Sequence, residues 1–321
     1  MAWAGAAIAA VALALRVAHV LTSAKLLVAD DAVFFEQHAL AFSAAWRAVG
    51  TPAFVELLRE AIDHASLQGV VYPVFLSALY TLRGGADHTA AGLAQAVLGA
   101  ATVWLTFATA RRAFGDVAAV TAGTLAAIYT PLVLTAGLLL AEAVLLFLQA
   151  VAAYWLERGA GTRAGLSIGA LMLRPAFQHA GLLTLVGLVA SRARAPVIGR
   201  YVAGLLIVAL PWLLMNGIVF DRFVWSRTGD AWQQVYWGIY PPNRGWWPPD
   251  SPVPPKYGVE SLPGARAAGR VIEARDLDYL EAAIEQVRAT PLQALATEVN
   301  TLAHGYHYPF NTYAEAPPLV A

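Results

Sequence analysis

A run of 40 residues, Val117 to Leu156, contains a single charged side chain, Glu142, and limits the possible folds more than any other feature of this chain. A helix that crosses a bilayer needs about 20 mainly apolar residues. The run is therefore long enough for two spans, with a turn expected near Pro131. Because the bilayer core offers backbone groups no hydrogen-bond partners, both spans are predicted to be helical.

Other apolar segments of the first 220 residues are candidates for the same kind of helix. They are residues 3–24, 91–110, 164–190 and 201–220. The segment 164–190 measures about 40 Å as a helix, so we predict a hairpin of two short arms that breaks at Arg174 and Pro175. The total is about seven spans, some of them short or broken. The predicted fold is an all-α, polytopic transmembrane helix bundle.

Composition supports a membrane location and excludes several classes of protein. Of the 321 residues, 59% are hydrophobic and 13% are charged, whereas soluble domains carry about 25% charged residues. The net charge is zero, which argues against a nucleic-acid partner because nucleic-acid binders show a basic excess. The absence of cysteine excludes disulfides and thiolate metal sites.

Charge and proline content divide the chain near residue 220. Residues 1–220 hold 23 charged residues and 6 prolines, whereas residues 221–321 hold 19 and 12 in less than half the length. We predict a transmembrane bundle over 1–220 and a water-exposed, extracytoplasmic segment over 221–321. Apolar periodicity in the second segment predicts amphipathic helices near 272–287 and after Pro291.

Arginine placement predicts the orientation of the bundle. Three basic clusters fall on one side of the predicted topology, and such basic loops face the cytoplasm. The clusters are Arg111 with Arg112, Arg158 with Arg163, and Arg192 with Arg194 and Arg200. The outer side then receives a long loop over about 25–90, with helices near 33–48 and 53–62. The apolar segment 69–83 is short, and the number of spans requires that it lie at the outer surface without crossing.

Asp30 and Asp31, side by side at the start of the outer loop, have two interpretations. One of them can cap the helix that follows, since aspartate is a good N-cap residue. Alternatively, the pair supplies a general base, because a carboxylate that faces a cavity can take a proton from a hydroxyl. The residues alone leave both interpretations open.

Glu142 and Arg174 are charged residues at membrane depth, where charge is costly and usually functional. Glu142 is either a paired acid that holds helices together or part of a site, roughly 10 Å below the outer surface by helical rise. Arg174 either satisfies a carbonyl freed by Pro175, snorkels outward, or binds an anion, since its planar fork suits phosphate oxygens. Both residues are predicted at the same depth.

The other ionisable residues point less directly to a function. Arg16 and His19 lie one turn apart in the first predicted span. His19 is interpreted as a packed or hydrogen-bonded histidine, and Arg16 either snorkels outward or pairs inside the bundle. His304 and His307 are three residues apart, as in some metal sites, but no third ligand is fixed by spacing. No metal site is therefore assigned.

Several motifs recur in a characteristic order. They are LALR, Asp31-AVF-Phe35-EQH-Ala39, VVYPVFLSALY, ARRAFG, PLVLTAGLLLAE, GALMLRP and NGIVFDRFV. This order resembles the C superfamily of integral-membrane glycosyltransferases (GT-C), most closely its branch of protein mannosyltransferases, aminoarabinose transferases and bacterial RgtA/B/C/D-like sequences. The family pattern D-x3-Y-x3-A has phenylalanine here at Phe35, and its alignment favours Asp31 over Asp30. The family continues with further spans where this chain ends at Ala321, which implies a truncated or divergent member.

The resemblance implies an inverting glycosyltransferase that moves a sugar from a polyprenyl-phosphate donor to an acceptor hydroxyl on a glycan, lipid or protein. Asp31, together with Asp30, is implied as the catalytic base. Donor and phosphate contacts are implied for Arg174, Glu142, Arg16, Tyr72 and Arg244. The resemblance fixes no cofactor, and Glu142 either orients the site or binds a divalent cation. The expected location is the bacterial inner membrane, among membrane lipids, with the active site on the periplasmic side.

Two other classes of function remain open from the sequence. A transporter or flippase of lipid-linked saccharides would use Glu142 and Arg174 as a gating pair, and broken helices also occur in transporters. A non-catalytic subunit of a membrane glycosylation complex is the other alternative. The proposed site requires that Asp31, Glu142 and Arg174 lie close together in the fold.

Overall fold

The structure, a computed structural model, describes residues 2–22, 30–65, 69–174, 177–220, 236 and 276–292. Within these residues it contains helices and no strand, which confirms the predicted all-α class. The helices are α1 (Ala2–Thr22), α2 (Asp30–Arg47), α3 (Phe54–Ala65), α4 (Val71–Arg83), α5 (His88–Phe114), α6 (Asp116–Ile128), α7 (Thr130–Leu134), α8 (Glu142–Glu157), α9 (Gly161–Met172), α10 (Ala180–Ala190), α11 (Ala195–Phe220) and α12 (Asp276–Ala289). The chain divides into two compact units, Met1–Trp225 and Ser226–Ala321, and α12 belongs to the second.

Among the described residues, three helices are long and apolar enough to cross a membrane, and they indicate a membrane protein. They comprise Trp3–Thr22 of α1, His88–Phe114 of α5 and Ala195–Gly217 of α11. The described residues do not confirm the predicted number of about seven spans. The reason is length, because α6 and α10 are apolar but have only 13 and 11 residues. A helix of that size measures about 20 Å or less, whereas the hydrocarbon core is about 30 Å thick.

The long apolar runs are interrupted where the sequence predicts a turn. In the run 117–156, a break at Tyr129 separates α6 from α7, and α8 begins at Glu142. In 164–190, the break between α9 and α10 contains Arg174, as predicted from the neighbouring proline. Both charged candidates therefore lie at helix ends, where the chain changes direction.

The helices predicted in the long loop between the first two spans are present. The segments 33–48, 53–62 and 69–83 correspond to α2, α3 and α4, with ends shifted by a few residues. In the second unit, α12 forms at the position predicted near 272–287. The helix predicted after Pro291 and the tryptophan-rich stretch after residue 225 lie outside the described residues, apart from a few positions.

The predicted basic clusters meet at one end of the first unit. Arg112 Nε lies 3.6 Å from Glu157 Oε1, which joins the end of α5 to the end of α8. The start of α9 joins the start of α11, because a Cβ at Gly161 would lie 3.1 Å from Arg200 Cβ. We call this region, where these four helix termini meet, the basic end.

Glycines bring α9 and α11 into close contact. Gly161, Gly165 and Gly169 recur every fourth residue on α9, and a Cβ at Gly165 would overlap the backbone of Tyr201 on α11. Small residues at this spacing allow the close approach that is typical of helices in membranes. The contact fixes α9 and therefore the turn after it, which carries Arg174.

Candidate functional site

Arg174 is held in the turn that follows α9. Its amide donates to the carbonyl of Leu171 (3.0 Å), and its carbonyl accepts from the amide of Phe177 (2.9 Å). Gly69 packs directly on this turn, because a Cβ there would lie 2.8 Å from the Leu173 carbonyl oxygen and 2.9 Å from Arg174 Cα. Gly69 also has φ +98°, a conformation that favours glycine. The loop before α4 therefore determines where Arg174 can sit.

Glu142 is the first residue of α8, and the segment before it is fixed by Gln95 of α5. The Gln95 side chain is fully buried. Its Nε2 donates to the carbonyls of Thr135, Ala136 and Leu138 at 3.3, 3.0 and 2.9 Å. A single amide thus ties down the non-helical backbone between α7 and α8, whose polar groups need partners when buried.

Glu142 and Arg174 meet at the outer limit of an ion pair. Arg174 Nη2 lies 4.0 Å from Glu142 Oε1, and the side chains are 22% and 45% exposed, respectively. The second oxygen, Glu142 Oε2, and the second nitrogen, Arg174 Nη1, are both buried and have no hydrogen-bond partner among the described residues. Buried polar atoms are normally satisfied. The pair therefore offers one free acceptor and one free donor to a polar ligand.

Phe35 connects this pair to α2. The Arg174 guanidinium carbon lies 5.8 Å from the centroid of the Phe35 ring, within cation–π range. Phe35 is buried and contacts the Tyr72 ring edge to face, with the centroids 5.0 Å apart. The aromatic position of the D-x3-aromatic motif is thus part of the Arg174 environment.

Asp31 lies one helical turn before Phe35 on α2 and is exposed. Four residues of helix correspond to about 6 Å of rise, so Asp31 lies about 6 Å along the axis of α2 from Phe35. The interpretation of one aspartate as an N-cap stays a prediction, because residues 23–29 lie outside the described residues. The described helix α2 includes both aspartates at its N-terminal end. Acidic residues there are stabilised by the helix dipole.

Tyr72 of α4 connects Gln95 of α5 to Phe35 of α2. Its hydroxyl donates to Gln95 Oε1 at 2.6 Å. Burial raises the pKa of Tyr72 well above its usual value, and the charges of Tyr80, Glu142 and Glu36 raise it further. The hydroxyl therefore remains a hydrogen-bond donor throughout the physiological pH range. We call Phe35, Tyr72, Gln95, Glu142 and Arg174 the central cluster.

The remaining predicted residues are placed elsewhere or are not described. Arg16 is fully buried, and its guanidinium donates to the carbonyls of Ala12 (3.0 Å), Ala127 (3.2 Å) and Ala126 (3.2 Å). It therefore pairs inside the bundle at the end of α6, and no described contact joins it to the central cluster. Arg244 and the two C-terminal histidines, His304 and His307, lie outside the described residues.

Metal binding by protein ligands alone finds no support in the described part of the chain. No group of three or more histidine, aspartate or glutamate side chains there is arranged to hold an ion. Glu142 contributes one carboxylate, and a divalent cation held there would take its remaining oxygen ligands from water or from a phosphate.

The structure contains a polar cavity that the sequence did not predict. A cavity of about 510 Å³ opens between α2 and the turn joining α4 to α5. It is lined by Glu36, Arg83, Gly84, Gly85, Ala86, Asp87 and His88. We call it the outer cavity. Its volume is in the range of small-molecule sites, about 300–1,000 Å³.

A partly buried hydrogen-bond chain reaches the wall of the outer cavity. His88 Nε2 lies 2.5 Å from Glu36 Oε1, and the Tyr80 hydroxyl donates to the same oxygen at 3.5 Å. Burial and the neighbouring Glu36 carboxylate raise the pKa of Tyr80. Glu36 directly follows Phe35, so α2 contributes consecutive residues to the central cluster and to the outer cavity. One signal for this contact was present in the sequence, because Glu36 lies inside the motif Asp31-AVF-Phe35-EQH-Ala39. Its partner His88 is 52 positions away in the sequence.

The described part of the chain is helical, contains three helices that indicate a membrane protein, and has a polar cluster at helix breaks. Comparison with protein-family models, curated protein sequences and solved structures gives no match to this chain.

Proposed function

We propose that this protein is a glycosyltransferase of the GT-C type that transfers a sugar from a polyprenyl-phosphate donor to an acceptor hydroxyl at the outer membrane face. The observation that carries the proposal is the Glu142–Arg174 pair beside Phe35. Arg174 lies 4.0 Å from Glu142, and its guanidinium lies 5.8 Å from the ring of Phe35, which is one helical turn from Asp31 on α2. The pair also keeps one buried donor and one buried acceptor free, as a site for a polar headgroup requires.

Arg174 is assigned to the donor phosphate. Its free Nη1 can donate to a phosphate oxygen while Nη2 remains close to Glu142. As the glycosidic carbon leaves the phosphate, negative charge grows on the leaving group, and a preorganised guanidinium in a partly dry site stabilises that charge. Glu142 Oε2 is assigned to a hydroxyl of the transferred sugar, which it would orient.

Asp31 is assigned as the base. The acceptor hydroxyl gives its proton to the Asp31 carboxylate as the acceptor oxygen bonds to the anomeric carbon. On the opposite face, the bond from that carbon to the phosphate oxygen breaks, and the polyprenyl phosphate departs with the electron pair. The anomeric configuration is inverted. One carboxylate suffices because the phosphate leaves without protonation, whereas glycosidases need an acid as well.

The outer cavity is assigned to the acceptor. Its lining combines acceptors and donors of both charges, Glu36 and Asp87 with Arg83 and His88, which suits a hydroxyl-rich ligand. It adjoins α2 within about a turn and a half of Asp31, so an acceptor held there can reach the base. The protein would lie in the bacterial inner membrane with this face towards the periplasm.

The test is sugar transfer in membranes that contain the full chain and labelled polyprenyl-phosphate sugars. Asp31→Asn should lower the rate by about 10²–10⁴-fold, the usual contribution of a general base. Asp116→Asn is the matched control, because Asp116 is an exposed aspartate that pairs with Arg111 at the basic end (2.8 Å). Undiminished transfer by both Asp31→Asn and Asp30→Asn would contradict the assignment of the base.

The same preparation distinguishes the transporter alternative. In sealed vesicles, a flippase would move the labelled donor across the bilayer without forming a new glycosidic bond. Transport that is lost in Arg174→Gln, with no covalent transfer by the native chain, would favour the flippase over the transferase.

A further inference from the structure

The basic end carries a patch of aromatic and arginine side chains that the proposed transfer reaction does not use. Trp104 of α5 contacts Tyr154 of α8, with ring centroids 5.8 Å apart, and Tyr154 meets Trp155 edge to face at 5.0 Å. The Arg158 guanidinium lies 3.5 Å above the Tyr154 ring, and that of Arg163 lies 4.2 Å above the Trp155 ring. We call these five residues the aromatic–arginine patch.

The two arginines of the patch differ from their neighbours in charge pairing. Arg111 pairs with Asp116 at 2.8 Å, and Arg112 with Glu157 at 3.6 Å. Arg158 and Arg163 are exposed, and neither forms an ion pair with a carboxylate within the described residues. The patch therefore presents two uncompensated positive charges.

The contacts with Tyr154 and Trp155 constrain the orientation of the Arg158 and Arg163 guanidinium groups. A guanidinium that lies flat on an aromatic ring uses its face for the ring and keeps its N–H edge available. In Arg158, Nη1 donates to the Tyr154 carbonyl at 3.3 Å. The other N–H groups of the guanidinium remain available to a ligand. The planar fork of arginine matches the oxygen spacing of a phosphate group. The chemistry recognised is therefore a phosphate anion.

The position of the patch indicates where that phosphate comes from. Along α8, Glu142 and Arg158 are separated by about 24 Å of helical rise, so the arginines lie at the opposite end of that helix from Glu142. Trp104 lies deeper, about 14 Å from Gln95 along α5. Tryptophan and tyrosine concentrate at the membrane–water interface. Trp104, 42% exposed, provides apolar surface beside the arginines for an acyl chain. A headgroup phosphate attached to acyl chains satisfies both features.

We infer that the aromatic–arginine patch binds the headgroup of an anionic phospholipid on the side of the membrane opposite the central cluster. The inference does not depend on the transferase activity. The phosphate accepts from the edges of Arg158 and Arg163, and an acyl chain packs on Trp104. Neutral lipids share the phosphate but offset its charge with a cationic group, so the two uncompensated arginines favour the anionic headgroup.

The experiment measures lipid binding to the purified full chain in a neutral detergent, by native mass spectrometry and by the shift in Tm. The probes are phosphatidylglycerol, phosphatidylcholine with the same acyl chains, and inorganic phosphate. Phosphatidylglycerol should bind and raise Tm, and the other two should have little effect. The double variant Arg158→Gln with Arg163→Gln should lose about tenfold to thirtyfold in phosphatidylglycerol affinity, as expected for two interfacial arginines.

The matched control is the double variant Arg192→Gln with Arg194→Gln, which removes the same charge from the basic loop between α10 and α11. It should retain nearly native affinity. If both double variants lose the same affinity, binding depends on overall positive charge and not on the patch, and the inference is overturned. The inference is also overturned if phosphatidylcholine binds as tightly as phosphatidylglycerol. An equal Tm shift with inorganic phosphate would overturn it as well. If the glutamine variant does not fold, Arg158→Lys with Arg163→Lys keeps the charge and removes the stacked fork. Native affinity in that variant would equally contradict the inference.

Discussion

Single residues hold the central cluster together, and Gln95 is the clearest case. Its amide satisfies three carbonyls of the backbone before Glu142 and accepts from the Tyr72 hydroxyl. A glutamine in a charge-free apolar helix gave no signal at the sequence level, because its carbonyl partners are 40 to 43 positions further along the chain. The residue that positions Glu142 is therefore visible only in the folded structure.

We predict that Gln95→Leu destabilises the protein by about 2–4 kcal/mol, because several buried groups lose their partner at once. Tyr72→Phe is the comparison, since it removes one hydrogen bond and leaves the three carbonyl contacts intact, at a cost of about 1 kcal/mol. Thermal unfolding of both variants in the same detergent measures the difference. Equal losses would show that the carbonyl contacts of Gln95 contribute nothing beyond the Tyr72 bond.

At the scale of elements, the turn between α9 and α10 places Arg174, and the loop before α4 supports that turn. We predict that Gly69→Ala reduces stability by about 1–2 kcal/mol, the cost of a side chain in the left-handed region. It should also lower sugar transfer, because the new Cβ pushes on the backbone of Leu173 and Arg174. Thermal unfolding and the transfer assay measure the two effects.

Gly85→Ala is the control for this variant. Gly85 lies in the turn after α4 and does not have a positive φ, and a Cβ added there would meet no heavy atom of the described residues within 4 Å. Tm and transfer rate should both remain close to those of the native chain. A Gly69→Ala protein with normal transfer would show that the position of the Arg174 turn is not critical.

The positions of the helices were largely predictable from the sequence, but the lengths of the helices were not. Apolar runs and the proline after Arg174 predicted the helices and the break in 164–190, because local sequence decides where a helix can form and end. The count of about seven spans is not confirmed within the described residues, because α6 and α10 have only 13 and 11 residues, too few to cross a hydrocarbon core. Hydropathy cannot distinguish a helix that crosses lipid from one that ends against its neighbours. The Glu36–His88 contact was missed for the related reason that tertiary packing creates it.

At the scale of the whole first unit, polar chemistry separates to two ends. The basic end collects the arginine-rich termini of α5, α8, α9 and α11, whereas Glu142, Arg174 and the outer cavity lie at the other ends of the same helices. The 27 residues of α5 span about 40 Å, enough to cross a bilayer with a tilt. The positive-inside rule predicts that the basic end faces the cytoplasm, and the proposed function requires the candidate site to lie on the opposite side.

This orientation can be tested without any assumption about activity, because the chain has no cysteine and single cysteines can be introduced on a silent background. Gly85→Cys, at the outer cavity, should react with a membrane-impermeant maleimide in intact cells. Ser191→Cys, exposed at the end of α10 near the basic end, should react only after the membrane is permeabilised. Reaction of Ser191→Cys in intact cells, with protection of Gly85→Cys, would invert the topology and move the central cluster to the cytoplasmic face. In that case a donor displayed on the periplasmic side could not reach Arg174, so the proposed reaction depends on this result.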